Sequence, residues 1–223
     1  MRSNPAKQVR YLLRIVPSPI IPQRIIVHME ADLSTGLEKL TQDALILTEM
    51  AGEMADYLRS DTLFWQMMRG NMPKLTLGGF LMRQDRLLAL RDLLSEEDQE
   101  RVDTAVTQFN LALVEQIVRL EQKAHRELEA RIRQWSEYLK DLRWGQSTAA
   151  NYSSAVETRV MMTAVINKLS LPPYQLEPRI ADQIALLDGS LRRRWQTGPF
   201  VWPEEWEPAY PKAEYWQLYG LIR

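Results

Sequence analysis

The chain has 223 residues, of which 45% are apolar and 26% charged, and its formal net charge is −1. A chain of this length can form one large domain with a hydrophobic core, and its composition is too apolar for a disordered chain. The lack of cysteine excludes disulfides, thiolate metal sites and thiol nucleophiles. No apolar run approaches the roughly 20 residues that span a bilayer, and the first thirty residues lack the apolar core of a secretory signal. We therefore expect a cytoplasmic protein without a transmembrane span.

Residues 1–30 are interpreted as a basic, apolar N-terminal arm. The first 29 residues contain five basic residues and no acidic one. Three prolines between positions 17 and 22 prevent a continuous helix, so we expect the arm to extend over a groove of its own or of a neighbouring subunit. Association with an anionic lipid surface and a role as a targeting segment are the alternatives that this composition leaves open.

The body of the protein, residues 31–197, is predicted to consist of helices. No proline occurs between Pro73 and Pro172, and no glycine occurs between Gly79 and Gly145. Because these two residue types penalise a helix interior most, their absence favours long helices. The predicted helices cover residues 32–69, 77–94, 97–144, 148–169 and 178–197.

The first predicted helix carries a strict heptad pattern. Its apolar residues follow one another at alternating steps of four and three positions. A period of about 3.5 residues favours left-handed packing against a partner helix, as in a coiled coil. The residues of this seam are Leu33, Leu37, Leu40, Ala44, Leu47, Ala51, Met54 and Leu58.

The third predicted helix, residues 97–144, is the longest. Its apolar seam has a mean step of about 3.6 residues, which is typical of a nearly straight rod. At 1.5 Å per residue its roughly 48 residues extend about 72 Å, whereas a compact chain of this length has a diameter of about 45 Å. Either the helix contains a break that the sequence does not reveal, or the molecule is elongated. We prefer elongation and predict an all-α fold, an elongated antiparallel bundle of long helices. The seam comprises Val102, Val106, Phe109, Leu113, Ile117, Leu120, Ala124, Leu128, Ile132, Trp135, Leu139 and Leu142.

Within this helix the apolar seam becomes sparse between Glu121 and Gln134. Pairs of opposite charge four residues apart, such as Lys123–Glu127 and Glu127–Arg131, support a helix that is exposed to water. We therefore expect this stretch to be solvated, at the point where the rod leaves the body of the protein.

The C-terminal segment, residues 198–223, is rich in proline and aromatic residues. Because one aromatic ring can bury 150–250 Å², we expect the segment to dock on the chain's own helices, with docking on a partner as the alternative. A basic run precedes it and complements the negative end of the last predicted helix. The candidate partner-binding residues are Arg192, Arg193 and Arg194 of this run, together with Trp202, Trp206 and Trp216.

No pattern in the sequence indicates a catalytic residue, a cofactor, a metal site or a small-molecule ligand. The only histidines, His28 and His125, lack the spacing of a metal site, and we expect His125 to be an exposed helical residue. There is also no glycine-rich phosphate loop. We therefore expect a non-catalytic helical scaffold or adaptor that acts through protein–protein interfaces and forms a homo-oligomer.

Two other functions remain open at this point. The basic arm and the run of three arginines are compatible with a nucleic-acid-binding accessory protein, although the remainder of the chain is acidic. Acidic residues one helical turn apart, such as Glu53 and Asp56, are compatible with a Mg²⁺-dependent nucleotide hydrolase, but this spacing is common in helices.

Overall fold

The computed structural model describes residues 23–144 and 151–222. The chain is mostly helical, which confirms the all-α prediction. Of the predicted N-terminal arm, residues 1–22 lie outside the described residues. The helices are α1 (Gln23–Arg59), α2 (Leu77–Ala89), α3 (Glu96–Val114), α4 (Ile117–Trp144), α5 (Tyr152–Leu169) and α6 (Pro178–Arg192). Two short strands, β1 (Trp195–Thr197) and β2 (Gly220–Ile222), and 3₁₀ turns at Arg91–Leu93, Glu204–Ala209 and Trp216–Leu218 complete the fold.

The helices pack as two connected groups. In the first group α1 lies along α3 and also contacts α2, and in the second group α4 packs on α5 and α6. Contacts of α2 with α5 and α4 join the groups. The C-terminal segment then returns to the first group, because its 3₁₀ turn at Glu204–Ala209 packs on both α1 and α2.

The core follows the two predicted apolar seams. Most of their residues are buried, whereas Leu37 and Ile117 are exposed. Leu33 lies outside the residues whose side chains are described. The buried seam residues are Leu40, Ala44, Leu47, Ala51, Met54 and Leu58 in α1, and Val102, Phe109, Leu113, Leu120, Ala124, Leu128, Trp135, Leu139 and Leu142 in α3 and α4.

The predicted bounds of the first helix, residues 32 and 69, are both wrong. α1 begins within the predicted arm and ends at Arg59. After it the chain folds back, because the Glu53 carboxylate accepts hydrogen bonds from Trp65 Nε1 at 2.7 Å and from the Met68 backbone N–H at 3.0 Å. These two bonds fix a loop in place of the last helical turns that the sequence pattern predicts.

The last helix is also shorter than the predicted range, residues 178–197. α6 ends at Arg192, and the chain then enters β1. Pairing with β2 holds this part extended, because the two strands form an antiparallel sheet. The helices α2 and α5 fall within the predicted ranges 77–94 and 148–169, of which residues 148–150 lie outside the described residues.

The prediction of one continuous helix over residues 97–144 is wrong. α3 ends at Val114 and α4 begins at Ile117, so Glu115 and Gln116 separate them. Neither glycine nor proline marks this break. α3 lies along α1, and Arg119 and Lys123 at the start of α4 donate to backbone carbonyls at and just after the end of α1. Two helices of 19 and 28 residues thus replace the single helix of about 48 residues on which the prediction of an elongated molecule rested.

The charged stretch of α4 is buried at its centre, and the prediction of a solvated stretch is wrong. Its cations cover the C-terminal end of α1, where backbone carbonyls have no helical partner and the helix dipole is negative. Lys123 Nζ donates to the carbonyls of Ser60 and Thr62 at 2.9 and 2.7 Å. Arg119 donates to the carbonyl of Arg59, the last residue of α1.

The same stretch covers the N-terminal end of α2 with an anion. Glu127 is 0% exposed, and its Oε1 accepts hydrogen bonds from the Gly78 N–H at 3.0 Å and from Arg131 Nε at 2.6 Å. Arg131 Nη2 donates to Thr76 Oγ1 at 2.9 Å, and the same hydroxyl caps α2 by accepting from the Gly79 N–H at 3.0 Å. α4 thus places a negative charge at the positive end of α2 and a positive charge next to it.

We predict that Gly78→Ala destabilises the protein by about 1–3 kcal/mol, since it overpacks a closed site. A Cβ atom at residue 78 would lie 2.7 Å from Glu127 Oε1 and 3.1 Å from Met161 Cβ. Urea unfolding followed by circular dichroism measures the effect.

The matched control is Gly52→Ala in α1, because a Cβ atom there meets nothing within 4 Å. Alanine favours a helix over glycine by about 1 kcal/mol, so this variant should be as stable as the original protein or more so. Equal effects of the two substitutions would show that the close packing at Gly78 is not important for stability.

Candidate functional sites

The three arginines of the basic run have different surroundings. Arg194 Nη1 donates to the carbonyl of Leu142 at 2.8 Å and therefore caps the end of α4. The guanidinium of Arg192 lies 3.8 Å from the centre of the Trp216 ring. Arg193 is exposed and lines a groove of about 280 Å³ between the ends of α4 and α6, to which Arg143 also contributes.

The three tryptophans of the C-terminal segment contact the chain's own helices and the basic run. Trp206 is buried, and its Nε1 donates to the carbonyl of Gly36 in α1 at 3.2 Å. Trp202 is half-buried, and its Nε1 donates to the carbonyl of Ser153 in α5 at 2.8 Å. Trp216 is half-buried under Arg192. The structure thus shows the expected docking on the chain's own helices, and partner binding by these residues stays a prediction.

An exposed apolar surface lies where α3 meets α4, and the sequence seam does not include most of it. Its residues are spaced three and four positions apart, as on one face of a helix. Leu111, Val114 and Val118 are 66%, 74% and 68% exposed, and Ile117 is exposed beside them. We call these four residues the junction patch. An exposed aliphatic cluster of this kind is typical of a surface that binds another protein.

The edge of the junction patch carries both signs of charge. Glu115, within the break, is exposed, and one of its carboxylate oxygens lies 4.0 Å from Arg59 Nη2. Arg59 also pairs with Asp56 at 3.3 Å and is more than half exposed. The patch is thus an apolar centre with a charged, accessible rim, which is the usual arrangement of a protein–protein interface.

A second candidate is a cleft of about 350 Å³ between α1, α2, α5 and the C-terminal segment, which we call the basic cleft. Two buried arginines of α2 and a buried aspartate of α1 form its base. Asp43 Oδ1 accepts a hydrogen bond from Arg83 Nε at 3.0 Å, and Asp43 Oδ2 accepts one from Arg86 Nη2. Lys39 and Glu157 contribute further charged groups to the cleft.

Arg86 is the most enclosed charge of the basic cleft, at 3% exposed. Its guanidinium stacks on the Trp206 ring at 3.9 Å, and its Nη1 donates to the Tyr210 hydroxyl at 3.2 Å. Burial raises the pKa of Tyr210 to about 12, although Arg86 opposes this shift, so the tyrosine is neutral at pH 7. Burial lowers the pKa of Arg86, but Tyr210 and Asp43 raise it and leave it above its ordinary value, so Arg86 remains charged.

Sequence reasoning did not identify Asp43, Arg83 and Arg86. The available signal was an acidic residue directly beside the apolar seam of α1, combined with two arginines one turn apart on the next helix. Their meeting depends on how α1 and α2 pack, and this is not visible in the periodicity of either helix.

The residues considered for metal chemistry serve the fold instead. Both carboxylate oxygens of Glu53 accept hydrogen bonds from the loop after α1. Asp56 pairs with Arg59. His125 is half-buried rather than exposed, and its Nε2 accepts a hydrogen bond from the Glu177 backbone N–H at 3.2 Å. Within residues 23–144 and 151–222 no group of histidine and acidic side chains is arranged to hold a metal ion.

Comparisons with known proteins give no relative: the chain matches no family model, no curated protein sequence and no solved structure. In the described part of the chain, none of the helices combines the length and the apolar composition that crossing a bilayer requires. Function is therefore inferred from the geometry of the molecule alone.

We predict that Asp43→Asn destabilises the protein by about 3–5 kcal/mol, because it leaves two buried guanidinium groups without a carboxylate. Thermal or urea unfolding at pH 7 measures the loss. The matched control is Asp103→Asn, which removes an ion pair with Arg91 at the surface, 2.6 Å long. Water screens that pair, so we expect little change. A loss at Asp43 no larger than at Asp103 would contradict the structural importance of the buried pair.

Proposed function

We propose that the protein is a non-catalytic helical scaffold or adaptor that self-associates through the junction patch. The observation that carries this proposal is the exposure of four adjacent aliphatic side chains at the end of α3 and the start of α4. Full burial of one such side chain contributes about 1.5–3 kcal/mol. A contact that covers the patch therefore provides a substantial driving force for association.

A second copy of the chain is the partner that fits this surface best. In a two-fold symmetric interface the same patch meets itself, so an apolar centre pairs with an apolar centre. The rim supplies Arg59 and Glu115, which lie side by side, and a two-fold axis between them would place each opposite its counterpart of the other sign.

The basic groove that contains Arg193 is the one observation that favours the nucleic-acid alternative. Arg192 and Arg194 weigh against it, because one stacks on Trp216 and the other caps α4. A phosphate would have to displace these contacts. Self-association requires no such rearrangement, and it is therefore the function that we propose.

We predict a concentration-dependent dimer, measured by light scattering coupled to small-angle X-ray scattering. The mass should double with concentration, and the maximum dimension should increase with it. The double substitution Leu111→Gln and Val114→Gln should weaken dimerisation at least about tenfold, because two aliphatic contacts are lost. A monomer at all concentrations up to about 100 μM would contradict the proposal.

The matched control for this experiment is Leu186→Gln in α6. Leu186 is 76% exposed and therefore as accessible as the patch residues, but it lies on another helix. Its replacement should leave the dimer unchanged. Equal weakening by Leu186→Gln would show that association depends on general surface hydrophobicity and not on the junction patch.

A further inference from the structure

The basic cleft has a charge imbalance at its base. Arg83 and Arg86 are both more than nine-tenths buried, and the Asp43 carboxylate is shared between them. The other partner of Arg86 is the neutral hydroxyl of Tyr210, and the other partner of Arg83 is the carbonyl of Gly79 at 2.9 Å. Two guanidinium charges are thus balanced by one carboxylate charge, which leaves a net positive charge in a poorly solvated place.

The unbalanced positive charge of Arg83 and Arg86 lines the basic cleft, and further polar groups surround this cleft. Lys39, one helical turn before Asp43 on α1, adds a second positive charge at the rim. Ser153 and Ser154 at the start of α5 contribute hydroxyl groups, and Trp202 forms an aromatic wall. A volume of about 350 Å³ falls within the range of small-molecule sites.

We infer that the basic cleft binds a small oxyanion, a phosphate or carboxylate group, which neutralises the excess charge of Arg83 and Arg86. Planar guanidinium groups and serine hydroxyls are suitable donors to such a group. Lys39 would add a charge-assisted contact at the rim. This site is separate from the junction patch, so the inference is independent of the proposed self-association.

Glu157 determines how the anion lies in the cleft. It is the second acidic residue of the lining, and no described residue forms a hydrogen bond or ion pair with its carboxylate. The same is true of the Lys39 ammonium. Glu157 therefore repels an anion, whereas Lys39 attracts it, and the anion should lie on the side of Lys39.

The test is a titration of the full chain with inorganic phosphate at constant ionic strength, followed by tryptophan fluorescence. A parallel titration with acetate shows whether the site prefers phosphate or carboxylate. We expect saturable binding, which Lys39→Gln weakens about 3- to 10-fold and Glu157→Gln strengthens by a similar factor, as the loss of one nearby charge implies. The unfolding midpoint of both variants should be unchanged, because neither side chain has a partner among the described residues.

The control variant is Lys140→Gln, which removes an exposed charge of α4 that does not line the cleft. It should bind both anions as the original protein does. Absence of saturable binding overturns the inference. So does an affinity that either Lys39→Gln or Glu157→Gln leaves unchanged, or that Lys140→Gln alters as much as they do, since the anion would then bind elsewhere.

Discussion

The fold depends on how the charged stretch of α4 satisfies the ends of two other helices. Backbone groups at helix ends lack partners, and a buried end is stable only when other groups supply them. Lys123 donates to carbonyls just beyond the end of α1, and Glu127 accepts from the first turn of α2. The positive side chain meets the negative helix end and the negative side chain meets the positive one. The order of charges along α4 is therefore matched to the order of helix ends beneath it.

The junction patch directly precedes this charged stretch along the chain. α3 ends at Val114 and α4 begins at Ile117, and Arg119 and Lys123 in the first turns of α4 bond to carbonyls at the end of α1. No helix of the described part of the chain covers the aliphatic residues of the junction patch. Residues 111–123 therefore carry both the surface proposed for self-association and the bonds that hold the start of α4 on the end of α1.

Sequence patterns predicted what each helix buries but not how the helices meet. The seam positions in α1, α3 and α4 are mostly buried because periodicity reports directly on a helix face. The same patterns gave no sign of the break between α3 and α4, since Leu113, Ile117 and Leu120 continue the seam across it.

The burial of the charged stretch of α4 was not predictable from spacing either. Pairs such as Glu127–Arg131 have the same spacing in a solvated helix and in a buried one. Which case holds depends on how α4 packs against the ends of α1 and α2. The basic cleft was missed for a similar reason, because Asp43 and Arg86 come together only through packing.

A double-mutant cycle on Glu127 and Arg131 tests most directly whether this buried pair holds α4 on α2. Three variants are compared by urea unfolding: Glu127→Gln, Arg131→Met and the two together. Each single substitution should cost about 3–5 kcal/mol, because it leaves a buried charge without its partner. The loss of unfolding free energy in the double variant should be smaller than the sum of the two single losses, by more than about 1 kcal/mol. Losses that add within about 0.5 kcal/mol, or single losses below about 1 kcal/mol, would contradict the account.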